Sequence, residues 1–108
     1  MTPDVSANPA PWIEDPPTDA VASRVLYRGD AATITAFSVP AGCQISKHVN
    51  SNLAMAFILR GQADVMIGGE HHAVPEGSLV RFPPGVEHAL DAGDDGFDML
   101  LTVVKGAS

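Results

Sequence analysis

At 108 residues, with 45% apolar and 18% charged residues, the chain is sized for one folded domain with a modest core and is too apolar for a disordered protein. Six Lys and Arg against thirteen Asp and Glu give a formal net charge of -7, with no basic cluster for a phosphate backbone or an anionic membrane surface, so nucleic acid and membrane are not expected partners. The single Cys43 excludes an intrachain disulfide, Met1-Thr-Pro-Asp lacks the flanks of a signal peptide, and the longest apolar run, Leu53 to Leu59, falls far short of the ~20 residues that span a bilayer; a cytoplasmic protein is expected.

Residues 1–20 read as a proline-rich tail or arm, with Pro3, Pro9, Pro11, Pro16 and Pro17. Proline fixes φ and lacks a donor N–H, so no regular ladder or helix is expected there. Trp12 and Ile13 either pin the tail to the folded body or to a second subunit, or are incidental apolar residues in a disordered tail.

The remainder, residues 21–108, reads as one all-β domain. Short runs rich in Val, Ile, Leu, Phe and Thr predict strands near 22–28, 32–39, 44–49, 53–60, 63–68, 71–75, 79–82, 87–91 and 97–104. Between them stand turn residues: Gly29-Asp30, Pro40-Ala41-Gly42, Asn50-Ser51-Asn52, Gly61, Gly68-Gly69, Pro75-Glu76-Gly77, Pro83-Pro84-Gly85 and the stretch Asp91 to Gly96. Gly68-Gly69 is a hairpin signal. No helical periodicity is evident, and the period-two pattern of Phe97, Met99, Leu101 and Val103 fits a strand near a barrel edge.

Two segments carry a recognisable pattern. Gly42-Cys-Gln-Ile-Ser-Lys-His48-Val-Asn50, followed by Gly61, resembles the first cupin motif, G-x5-H-x-H-x3–4-E-x6-G. Gly77-Ser-Leu-Val-Arg-Phe-Pro83-Pro-Gly85-Val-Glu-His88 resembles the second, G-x5-P-x-G-x2-H-x3-N. They occur in the right order, with fifteen residues between Gly61 and Gly77, and the resemblance spans about 22–104. It implies a small single-domain cupin of the RmlC-like superfamily: a double-stranded β-helix, or jelly-roll barrel, with its site in the barrel mouth.

The resemblance also implies where the ligands stand. The family's usual metal set is three His and one Glu. Here the first His is His48, the second His position is Asn50, the Glu position is Ala54, and the last His is His88. The closing Asn of the second motif is replaced by Ala92. A divalent transition metal (Zn, Fe, Mn, Ni or Cu) would therefore rest on His48, His88 and Asn50, short of the usual three strong protein ligands. This depleted set predicts weak metal binding or none.

Strand alternation extends the site. His48 and Asn50 lie two apart and share a facing. Ala54, Ala56 and Ile58 are expected beside them as an apolar pocket wall, with Met55 and Phe57 pointing away. Each candidate has a bland counterpart: buried imidazoles bonded to backbone for His48 and His88, a turn residue for Asn50. Glu87 and Asp91 should face outward. His71 and His72 should diverge as surface or hairpin residues rather than chelate. Cys43, five residues and about 17 Å before His48, has the opposite facing unless a bulge intervenes, and reads as a small core residue rather than a nucleophile. Lys47, Arg60 and Arg81 are either contacts for an anionic ligand or solvated charges.

The expected function is a small-molecule-binding cupin with weak or no metal. The alternatives are a metal-dependent oxygenase, isomerase or cyclase using His48 and His88, and a structural homodimerising domain. The ligand, the metal and the reaction are not legible. The family resemblance and the exposed strand edges of such a barrel together predict a homodimer.

Overall fold

The computed structural model describes residues 13–106, so Trp12 and the rest of residues 1–12 lie outside the described part. Eight strands run in the order β1 (Ala22–Arg28), β2 (Ala32–Val39), β3 (Gln44–His48), β4 (Leu53–Ile67), β5 (Glu70–Pro75), β6 (Leu79–Phe82), β7 (His88–Asp91) and β8 (Phe97–Val104). Every pairing is antiparallel, and the described residues contain no helix, hence none long and apolar enough to cross a membrane. The first sheet holds β1, β2, β8, the first half of β4, and β6. The second holds β3, β7, the second half of β4, and β5. This is the all-β jelly-roll barrel that the sequence predicts.

One expectation needs correction. The strands expected at 53–60 and 63–68 are a single fifteen-residue strand, β4. Gly61 bends the strand instead of ending it. Its φ is 78°, and a Cβ there would stand 2.2 Å from the Gly96 carbonyl oxygen. The register shifts between Ile58 and Arg60 just before it. A corner between two sheets and a tight turn make the same demand on backbone, positive φ, so sequence punctuation alone does not separate them.

The core lies between the sheets. Phe82, Phe97, Ile58, Met99, Val39 and Val65 are its largest fully buried side chains. Full burial of each such side chain stabilises by roughly 1.5–3 kcal/mol, which is how a chain this short holds two sheets together. Alternation along β4 puts Ala54, Ala56 and Ile58 inward, then Ala63 and Val65 after the corner. Ile13 and Ala36 are also buried but stand apart from this cluster. On the outer side of the corner, Arg60 Nε donates to Asp98 Oδ2 at 2.8 Å, so the nearly buried carboxylate is charge-paired.

Candidate functional site at the barrel mouth

His48 ends β3 and His88 begins β7, and the two are directly paired in the antiparallel ladder. The ladder is irregular between Ile45 and His48, where three steps on β3 match two on β7. That extra residue resets the alternation. Ile45 and His48 therefore both face inward, with Leu90 and His88 opposite them. Cys43 falls on the inward side as well, packed against the core. Lys47 is turned outward, 3.5 Å from Glu87 Oε1. Backbone bonds stitch the loops around the pair: Gly85 N–H donates to the Asn50 carbonyl at 2.9 Å, and Gly68 N–H donates to the Glu87 carbonyl at 2.8 Å.

The two imidazole centroids are 4.1 Å apart at 66°, and the Phe82 ring stacks on His88 at 4.3 Å and 19°. His88 is 3% exposed, whereas His48 is open to solvent. Each Nδ1 lies against a backbone carbonyl two residues earlier, at 2.8 Å from Ser46 O for His48 and 3.1 Å from Val86 O for His88. A carbonyl oxygen only accepts, so each Nδ1 carries the proton. In the neutral rings each Nε2 then keeps its lone pair for a ligand or a cation.

Burial pushes the His88 pKa below its ordinary 6.5; the Val86 carbonyl opposes this, and a charged His48 adds to the lowering. The unfolded chain therefore takes up this proton first as the pH falls. The His88 contribution to stability is fully present above about pH 6.5 and is lost as the pH falls through the lowered folded value. His88→Asn should flatten the fall in denaturation midpoint between pH 7.5 and 5 relative to the wild type, whatever its effect on absolute stability. An unchanged slope would assign the acid sensitivity to other groups.

The other candidates divide. Asn50 Oδ1 accepts the Asn52 N–H at 2.9 Å, which ties one of its two lone pairs to the local turn. Ala54, Ala56 and Ile58 face inward as alternation requires and are packed within the core, Ala54 being in register with Phe82. Glu87 is outward beside Lys47, and Asp91 lines the same outer groove with Gln44 and Asp64. His71 and His72 diverge: His71 Nδ1 is 3.2 Å from Asp64 Oδ2, whereas His72 Nε2 is 3.7 Å from Glu70 Oε2. Arg60 is taken by Asp98, and the register of Arg81 with Met55 turns it outward. Sequence reasoning missed Phe82, although its inward alternation with Val80 was a usable signal.

The description "Cupin domain" matches residues 35–105. The chain belongs to the cupin family. Among curated proteins none matches it. Solved structures do. A conserved protein of unknown function from Streptococcus pyogenes is 38% identical, with a TM-score of 0.78 over 85% of this chain and 80% of that one. A cupin superfamily protein from Desulfitobacterium hafniense is 22% identical, with a TM-score of 0.82 over 94% and 93%. A DMSP lyase from Ruegeria pomeroyi is 24% identical, with a TM-score of 0.75, over 82% of this chain and 48% of its own. The last two likenesses are of fold.

Cupins commonly hold a metal, which sets a requirement on the donors at this mouth. Two Nε2 atoms are available, Ala54 supplies no donor, and the Asn50 amide oxygen, which already accepts the Asn52 N–H, is a weak ligand. Among the described residues no group of three or more His, Cys, Asp and Glu side chains is placed to hold a metal ion. The described residues do not by themselves fit a resident catalytic metal, which needs three protein ligands and an open position.

Proposed function

We propose that this cupin binds a small molecule at the barrel mouth through His48 and His88, with metal held weakly or not at all. The observation that carries the reading is the contact of each Nδ1 with a backbone carbonyl oxygen, which favours the proton on Nδ1 in both rings. Two neighbouring Nε2 lone pairs, one at the surface and one buried against Phe82, form a preset pair of hydrogen-bond acceptors. Preset polar groups over an apolar floor are what a small-molecule site needs. A saturation-transfer NMR screen of small metabolites tests it. Binders that lose binding in the His48→Ala/His88→Ala double variant are expected; binders indifferent to both substitutions would move the site elsewhere.

The homodimer has its own supporting observation. The outer face of the first sheet presents Tyr27, Phe57 and Leu79 to solvent, with Ile34, Met55 and Leu100 half-buried between them. Five strands about 4.8 Å apart give this face on the order of 500 Å² in projection, and more once side-chain relief is counted. That is a sizeable share of the ~800 Å² per partner of a stable complex and stands at the upper end of the roughly 300–600 Å² patches that monomers leave bare. A second copy of this chain is the occupant we propose. Phe57→Glu with Leu79→Glu should convert a dimer to a monomer in light scattering while leaving the His48 and His88 ring resonances in place. A wild-type monomer at micromolar concentration would overturn the dimer.

A further inference from the structure

The row of side chains that contains His48 and His88 does not stop at β7. In register across the second sheet, His88 stands beside Ile67 of β4, and Ile67 stands beside Glu70 of β5. The next row runs Leu90, Val65, His72 in the same way. Residues directly opposite in a ladder point to the same face. The inward-facing Val74, two and four positions on from His72 and Glu70 in an unbroken register, fixes that face as the concave one. Glu70 and His72 thus share the concave side with the imidazole pair. Both are open to solvent, at 82% and 50% of side-chain exposure, with Glu70 Oε2 3.7 Å from His72 Nε2.

Glu70 and His72 then describe a second end to the site. Strand spacing of about 4.8 Å puts Glu70 about 10 Å from His88, with Ile67 between them as an apolar bridge. The polar groups at the two ends are alike in kind. His48 and His88 offer Nε2 lone pairs, and Glu70 offers a carboxylate. Neither row contains Lys or Arg, since Lys47 points to the other face with Glu87. These two rows have acceptors at both ends and no lysine or arginine among them to meet an anion.

We propose that Glu70, supported by His72, forms the far end of the ligand site begun by His48 and His88, and that the site takes an aliphatic amine whose N–H donors reach both ends across Ile67. This rests on the reading of the imidazole pair as a binding centre and adds the ligand's charge, length and second anchor. The ammonium end meets Glu70, the carbon chain lies over Ile67, and a donor at the other end is accepted by the Nε2 atoms. The net charge of -7 favours the approach of such a cation, whereas a carboxylate ligand would face acceptors at both ends.

The test is an NMR titration of the full chain with 1,6-diaminohexane, hexylamine and hexanoate, following the His48 and His88 ring resonances and the Glu70 and His72 amides. The diamine is expected to move both sets, to bind at least about tenfold more weakly to Glu70→Gln, and to bind more tightly than hexylamine, with hexanoate inert. Equal diamine affinity in the wild type and Glu70→Gln, a preference for hexanoate, or no response to either amine would each overturn the proposal. Pyrazole, an uncharged N–H donor, separates its failure from that of the underlying reading. If pyrazole shifts both imidazoles equally in the wild type and Glu70→Gln while the diamine fails, the binding centre stands without Glu70. If no probe moves the imidazoles, both fall.

Discussion

Gly61→Ala should destabilise the domain by about 2–5 kcal/mol, a large share of the 5–15 kcal/mol that holds a typical domain folded. Two costs add. An L-residue at φ 78° strains the backbone by roughly 1–2 kcal/mol. The new methyl would also stand 2.2 Å from the Gly96 carbonyl oxygen, which belongs to backbone and has no rotamer to escape into. Forcing such a contact costs about 1–3 kcal/mol more. Because β4 joins the two sheets at this residue, relaxation there pulls on β8 in one sheet and β5 in the other. Gly69→Ala is the control: its φ is 89°, but a Cβ there meets nothing within 4 Å, so only the conformational cost applies. Urea midpoints for the two variants test the difference, and equal losses would contradict the corner as the site of tight packing.

Phe82→Ala carries the second large effect. The ring is 1% exposed and sits in the core beside Ala54 while stacking on His88. Truncation of a buried Phe costs about 3–5 kcal/mol. The consequence at the site is more specific. Opening the wall of His88 to water removes part of the desolvation that disfavours its charged form, so its pKa should climb back toward 6.5 in a ring-proton NMR titration. Phe82→Leu should retain most of the stability, losing less than about 1.5 kcal/mol, and hold the pKa down because burial persists. A lowered pKa in Phe82→Ala would mean that something other than the Phe82 ring keeps water from His88.

The legible parts of this protein are those that local chemistry writes into the chain. Pro83-Pro84-Gly85 and Gly68-Gly69 mark reversals because few other residues adopt those backbone angles, and His48 and His88 stand out because two motifs fix their spacing. What stayed hidden depends on pairing between distant strands. The extra residue between Ile45 and His48 shows only against β7, and it decides which way Cys43 and Lys47 face. Gly61 reads as a stop until β4 is seen to serve both sheets. Glu70 and His72 lie outside both motifs, and only the placement of β5 beside β4 brings them to the face that His88 occupies.

Metal content tests the central claim most directly. Tag-free protein would be analysed by inductively coupled plasma mass spectrometry, then again after addition of Zn(II), Fe(II), Mn(II), Ni(II) and Cu(II) in turn and desalting, beside the His48→Ala/His88→Ala variant. An acceptor pair that binds small molecules without a resident metal predicts far less than one metal per chain in every sample. Near-stoichiometric transition metal that disappears in the double variant would contradict it, and would mean that a third ligand joins His48 and His88.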